Sequence, residues 1–405
     1  MASEWPQLPL GDVMTLQRGF DLPSQDRKPG KVPIVSSSGV SDYHSEVGVK
    51  GPGVVTGRYG TIGKVFLIRE DYWPLNTTLW VKDFHGNDPY FASYLLRTID
   101  FKSCCDKSSV PGVNRNDLHR IPVLIPPLAE QKAIAAILGA LDDKIELNRR
   151  MNSTLEAMAR ALFQSWFVDF DPVRAKLGGR KPEGLDKATA ALFPDAFEES
   201  SLGPIPKGWG VKPLSELCQL GRGASPRPIN DYMNGEIPWV KIADATAAGG
   251  PFLYETREKV KKAGAEKSVA VAPGDLILSN SATCGVPMFV ELHGCIHDGW
   301  LYFKNLRSIS KLYLFHVLIE LAEHLVHIAD GSVQKNLNTN LVGQQNVLVP
   351  PKEIADAFDA QATVWFSKMR QNGLESRTLA NLRDTLLPKL LSGELSVASI
   401  PKVTK

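Results

Sequence analysis

The pattern of apolar and polar positions changes character four times along the chain. From the start to about residue 127, short runs such as VPIV, GVVTGRY and KVFLI alternate with Gly, Pro and polar turn residues, which predicts short strands. The same texture returns at 210–349, with DLILS and PMFVEL. Each stretch carries one helical patch, PYFASYLLRTI (89–99) and KLYLFHVLIELAEHLV (311–326). After each stretch the period switches. Ile134, Leu138, Leu141, Ile145, Asn148, Asn152, Leu155, Ala159, Leu162 and Trp166 step by four and three, the spacing of a coiled-coil seam. Phe358, Ala362, Trp365, Met369, Asn372, Ser376, Leu379, Arg383, Leu386 and Leu390 repeat that stepping. Helices of about 40 residues, ~60 Å long at 1.5 Å per residue, are expected.

The two halves are copies of one unit. VLIPPLAEQ (123–131) and VLVPPKEIA (347–355) lie 224 residues apart, and the same offset pairs Ser108 with Ser332, Asn114 with Asn338 and Asn116 with Asn340. Further upstream the offset drifts, but Leu10, Arg18 and Gly19 still face Leu214, Arg222 and Gly223. Pro33 and Val35 face Pro238 and Val240; Pro52-Gly53 faces Pro273-Gly274, and Gly63 faces Gly285. The expected organisation is a mixed, strand-dominated domain at 1–127, a long helix at 128–170, a Pro- and Gly-punctuated linker at 171–209 with one or two helical turns around Leu185 to Leu192, a second domain at 210–349, a second long helix at 350–392 and a tail at 393–405. Asn148, Asn152, Asn372 and Ser376 interrupt the two seams at matching places, so antiparallel pairing would bring polar centres together and fix register. Separate packing of each helix on its own domain is the alternative.

Composition narrows the function. The 405 residues carry 46 Lys+Arg against 44 Asp+Glu, with 43% hydrophobic and 22% charged residues. That excludes a disordered chain and a tail-driven polycationic nucleic-acid binder. Residues 1–127 hold 14 basic and 13 acidic residues and residues 210–349 hold 13 of each, so neither domain is basic enough to hold duplex tightly by counterion release alone. The longest apolar run, AIAAILGAL (133–141), is about half the ~20 residues of a membrane span, and MASEWPQLPL lacks a basic and an apolar leader region, so a cytoplasmic location is expected. Five cysteines without a CxxC pair fit reduced thiols.

Catalytic motifs are near-misses. GRYGTIGKV (57–65) has Val65 where a phosphate loop needs Ser or Thr, and reads as a turn between strands. His293, Cys295 and His297 alternate beside Asp298, but no fourth ligand with zinc-like spacing follows, so a strand end is the expected reading and no metal site is assigned. No nucleophile elbow, dinucleotide loop, HExxH or amino-methyltransferase N/D-P-P-F/Y tetrapeptide is present.

Taken together, PLGD (9–12), RYGTIG (58–63), IPPLAEQKAIA (125–135), QSWFVDFDPV (164–173) and LLSGEL (390–395) resemble the specificity (HsdS) subunits of type I restriction-modification systems over essentially the whole chain. The second copy departs from the pattern at SNSATCG (279–285) and KEIA (352–355). The resemblance implies an α+β fold with two target recognition domains, separated by two long helices pairing as an antiparallel coiled coil with pseudo-two-fold symmetry. It implies a non-catalytic chain that reads a split, asymmetric double-stranded DNA sequence and docks two methyltransferase subunits. Those partners would hold S-adenosylmethionine, and restriction subunits would bring ATP- and magnesium-dependent translocation and cleavage. A coiled-coil scaffold without DNA readout and a stand-alone nuclease are the competing classes. Candidate DNA contacts in the first domain are Arg18, Arg58, Tyr59, Thr61, Lys64, Lys107, Ser108, Asn114, Arg115 and Asn116. In the second they are Arg222, Arg227, Asn280, Ser281, Thr283, Ser332, Gln334, Lys335, Asn336, Asn338 and Asn340. Asn, Gln and Arg suit base edges and Lys suits phosphate. The shared Asn-x-Asn pairs serve equally well as backbone caps. Lys259, Lys261, Lys262 and Lys267 form either a phosphate patch or a solvated face.

Overall fold

A computed structural model describes residues 5–105, 112–281, 283–329 and 337–397, with only the backbone of Ile328 and Ala329 described. The chain divides into two compact units, one made of 1–146 with 376–405 and the other of 147–375. In the first unit an antiparallel sheet orders its strands Thr15–Arg18, Thr78–Asp83, Gly53–Gly57 and Val65–Ile68. In a second sheet, Val32–Ser36 pairs antiparallel with Gly39–His44 and parallel with Trp73–Pro74. Asp88 caps the helix Pro89–Arg97 by accepting from the Phe91 amide, and that helix buries Phe91, Tyr94, Leu95 and Leu96.

The second unit repeats this plan. Its main sheet runs Gln219–Arg222, Trp300–Lys304, Leu276–Ser279, Pro287–Val290, with Phe252–Leu253 added at the edge. Its second sheet is built on Met233–Val240, parallel to Gly294–Ile296. The correspondence holds residue by residue: Arg18 lies opposite Leu79 and Arg222 opposite Leu301. Gly19 and Gly223 donate to the Thr78 and Trp300 carbonyls. A Cβ on either glycine would stand 2.2 Å from the Leu75 carbonyl oxygen or 2.1 Å from that of His297, so the close approach of backbones demands glycine at both places.

The two long helices span Leu128–Phe163, continued by one π-helical segment Gln164–Val168, and Lys352–Leu391. Within the second unit Asn152 meets Met369 and Asn372, while Asn148 meets Asn372 and Glu375. Within the first unit Asp142 meets Arg383. Partner numbers fall as residue numbers rise, so the helices run antiparallel. Their seams feed two cores: Ile134, Leu138, Leu390 and Leu391 join Leu10, Val54 and Leu79, whereas Ala159, Phe163, Phe358 and Met369 join Leu276, Leu301 and Phe315. Among the described residues no helix is long and apolar enough to cross a membrane.

The helical turns expected around 185–192 are present, but the segment 171–209 otherwise corrects the expectation of a linker. It folds as helices Asp171–Leu177 and Lys187–Leu192 and the hairpin Phe197–Ser200 with Gly203–Pro206. Val173, Phe193, Ile205 and Trp209 are buried in the second unit's core, because their apolar area outweighs the turn signals of the intervening prolines and glycines. In the tail, Leu395 and Val397 pack on the first unit's core.

Candidate nucleic-acid interface

In the first unit the turn after strand Gly53–Gly57 is tied down by its backbone. The Arg58 and Tyr59 amides both donate to the Thr77 carbonyl, at 2.9 and 3.2 Å, and the Arg58 carbonyl accepts from Val113 at 3.0 Å. Gly60 and Gly63 hold φ of 73° and 79°, as a turn this tight requires. With its backbone fixed, Arg58 lays its guanidinium 4.6 Å over the Tyr59 ring. It thereby joins Arg18, Asn114, Arg115 and Asn116 around a cleft of about 340 Å³ floored by Leu79 and Val113. Three arginines and two amides converging on one exposed cleft form a donor array suited to base edges and phosphate oxygens. Thr61 and Lys64 are exposed on the same turn, with the Lys64 ammonium 5.3 Å from the Phe66 ring, and do not line the cleft. Lys107 and Ser108 lie outside the described residues.

Asn114 has a second task. Its side-chain oxygen accepts from the Asn116 amide at 3.0 Å and caps the helix Arg115–His119, and Asn338 does the same for Thr339–Gly343 through the Leu341 amide at 2.8 Å. Asn116 and Asn340 are exposed within those first turns.

The second unit reaches a similar end with other residues. Asn280 occupies the place of Arg58, since its amide donates to the Gly299 carbonyl and its carbonyl accepts from Leu337. Unlike Arg58 it is fully buried, and its side-chain amide donates to the Asp298 carbonyl at 3.0 Å. It therefore holds the loop instead of presenting a contact, which corrects the expectation for this residue. Ser281 is half-buried and Thr283 exposed on the adjoining turn. Ser332, Gln334, Lys335 and Asn336 lie outside the described residues.

A cleft of about 400 Å³ opens instead beside the strands Met233–Val240 and Glu258–Val260, where Ser225, Arg227, Trp239, Lys241, His297 and Asp298 converge. Of the second-unit candidates among the described residues only Arg227 lines it; Arg222, nearby, donates from Nε to the Asp298 carbonyl at 2.7 Å. Lys241 lies 5.3 Å over the Trp239 ring and pairs with Glu258 at 2.7 Å. Asp298 takes a hydrogen bond from the Ser225 hydroxyl at 2.5 Å, with the His297 ring 3.4 Å and Arg227 3.7 Å away. Burial pushes the Asp298 carboxyl up, but the hydrogen bond from Ser225 and the neighbouring His297 ring outweigh it and keep the group below its ordinary range. Burial lowers His297, which favours the neutral ring. Ser225, Trp239 and Lys241 were missed from sequence, and Asp298 was weighed there only beside the His293, Cys295 and His297 alternation. The register Gly19 to Gly223 was the available signal, because it carries Asp21 onto Ser225 beside the predicted arginines. No group of three His, Cys, Asp or Glu residues fit to hold a metal ion occurs among the described residues.

In the helix pair, the Asn148 amide reaches the Asn372 carbonyl at 3.4 Å and the Glu375 carboxylate at 2.8 Å, and the Asn372 amide donates to the Asn152 side-chain oxygen at 2.8 Å. Asn148 and Asn372 are fully buried. Ser376 is half-buried one helical turn beyond Asn372.

Comparison with known proteins agrees with this architecture. Residues 2–157 and 206–365 match the family described as Type I restriction modification DNA specificity domain. The chain is 30% identical over 335 residues, 70% of its length and 71% of the relative's, to the type I restriction enzyme HindI specificity subunit of Haemophilus influenzae. It is 24% identical over 382 residues to the MjaIX specificity subunit of Methanocaldococcus jannaschii, covering 90% of this chain and 82% of that one. Its fold is similar to the crystal structure of a type I restriction-modification S subunit from M. genitalium, with a TM-score of 0.62, 14% identity and 96% of each chain covered. Two matches to the family domain, each reaching into a long helix, place this chain among the specificity subunits of type I restriction-modification systems.

Proposed function

We propose that the chain supplies sequence choice to a type I restriction-modification complex by reading a bipartite, asymmetric DNA sequence, one half with the cleft of each unit. The observation that carries this reading is the repeat itself: equivalent strands end in Arg18 and Arg222, and each unit carries a cleft beside them at a different place, lined by arginines and asparagines in the first and by Arg227, Lys241, Glu258 and Asp298 in the second. Two similar readers that differ in their lining residues would recognise two different words. The paired helices, 36 and 40 residues long, would set the spacing of those words and dock two methyltransferase subunits. Methyl transfer from S-adenosylmethionine, and magnesium- and ATP-dependent cleavage, would belong to the partner subunits in the cytoplasm. With basic and acidic residues balanced in each reader, tight binding would need those partners to close around the duplex.

Mapping methylated adenines in cells that carry the methyltransferase, with and without this chain, tests the reading. One split motif disappears when the chain is removed. Arg115→Ala should relax one half of that motif and leave the other intact. An unchanged methylome on removal of the chain from an active system rejects the proposal.

A further inference from the structure

Both units build one arrangement from different residues. The Gly19 and Gly223 hydrogen bonds to Thr78 and Trp300 align Asp21 with Ser225 and Asn76 with Asp298. In the first unit the carboxylate comes from the loop after strand Thr15–Arg18 and is bonded by the Asn76 amide. In the second the carboxylate sits on the facing loop and is bonded by the Ser225 hydroxyl. The residue carrying the acid has changed sides, yet an arginine stands against it in each: Arg18 at 3.3 Å from Asp21 and Arg227 at 3.7 Å from Asp298. All four side chains are exposed, by 52% and 66% in the first pair and 74% and 43% in the second, so neither pair adds much to stability and each opens at little cost. Arg18 and Arg227 line the two clefts.

From these observations, and resting on the reading that the clefts meet duplex DNA, we infer that each Arg–Asp pair recognises one G·C base pair in its half of the sequence. The major-groove edge of G·C presents the guanine O6 acceptor beside the cytosine N4 donor, about 3 Å apart because they bond each other. A guanidinium and a carboxylate 3.3–3.7 Å apart offer the complementary donor and acceptor in the same spacing. A T·A pair presents an acceptor and a donor in similar order. Its thymine has a methyl group where guanine has no substituent, and only guanine's N7 gives the arginine fork a second acceptor. Ser225 and Asn76 hold the carboxylates in place and are positioning residues.

The test is methylome mapping of the complex assembled with Asp298→Asn or, separately, Asp21→Asn. The wild-type motif should contain a G·C pair in each half. Asp298→Asn should weaken discrimination at one such pair by about tenfold or more while the other half stays strict, and Asp21→Asn should do the converse. Unchanged motifs, or a uniform fall in methylation with base preferences intact, overturn the inference. If the Asp298→Asn complex fails to assemble, Arg227→Lys, which keeps the charge and removes the fork, must relax the same pair or the inference falls. A wild-type complex that methylates no split motif rejects the underlying reading instead, so the two failures are distinguishable.

Discussion

Asn114 and Asn338 turn their side-chain oxygens to the backbone amides of Asn116 and Leu341. A cap of this kind stabilises by about 1 kcal/mol. Asn114→Ala should therefore lower the unfolding free energy by about that amount, whereas Asn114→Asp should retain it, since a carboxylate caps equally well. Thermal denaturation of both variants checks this: an Asn114→Asp chain that is destabilised as much as Asn114→Ala would reject the cap. The caps were legible in the sequence as one of two open alternatives, because a polar pair shared by two readers suits a common local structure. The contrast between Arg58 and Asn280 was not legible. Both make the same backbone hydrogen bonds, but whether the side chain turns outward depends on a partner brought by a distant loop, the Asp298 carbonyl.

On the scale of elements, the joint between helix pair and sheet domain differs in chemistry from unit to unit. In the first, Asp142 accepts from the Tyr94 hydroxyl at 2.8 Å, from Arg97 at 2.9 Å and from Arg383 at 2.7 Å. At the 224-residue offset stand Phe366, packed on Phe252, Phe289 and Phe315, and Ala159 in place of Arg383. Burial pushes the Asp142 carboxyl up, but the hydrogen bonds from Arg383, Arg97 and Tyr94 outweigh it and hold it below its ordinary range. A depressed folded-state value contributes stability that is present above the unfolded value, about 3.9, and lost as pH falls through the folded one. The first unit should thus loosen below about pH 4, and Asp142→Asn should remove that acid sensitivity; hydrogen exchange at Pro89–Arg97 against pH reads both. Arg383→Met should cost about 1–2 kcal/mol, less than orphaning a fully buried charge, because Arg97 still faces a carboxylate that is a quarter exposed. The stepping of four and three marked Arg383 as a seam position, since helical period is local information. It could not name Asp142 as the reason. Sheet pairing such as Val35 with Pro74 joins distant segments and left no periodic trace, and at 171–209 turn residues hid Phe193 and Trp209, whose size was the better guide to burial.

For the whole molecule, the decisive feature is that the first unit is discontinuous: residues 376–405 complete a body begun by residues 1–146. Leu390 and Leu391 are buried in its core beside Leu10, Val54 and Ile134, and Leu386, Leu387 and Leu395 pack on it. Fully burying a leucine stabilises by roughly 1.5–3 kcal/mol, so removing even the two buried ones would take away a large part of the 5–15 kcal/mol that holds a typical domain. The second unit is continuous from 147 to 375 and keeps both helix segments that its own core uses, including Ala159, Phe163, Phe358 and Met369. A chain ending at Glu375 should therefore lose the first unit selectively. Hydrogen exchange followed by mass spectrometry should show the amides of Gly53–Gly57 and Thr78–Asp83 losing protection while those of Leu276–Ser279 and Trp300–Lys304 retain it. Equal loss in both units would mean that the second depends on residues outside its own core, and unchanged protection in the first would mean that its sheets and the helix Pro89–Arg97 suffice without the C-terminal leucines.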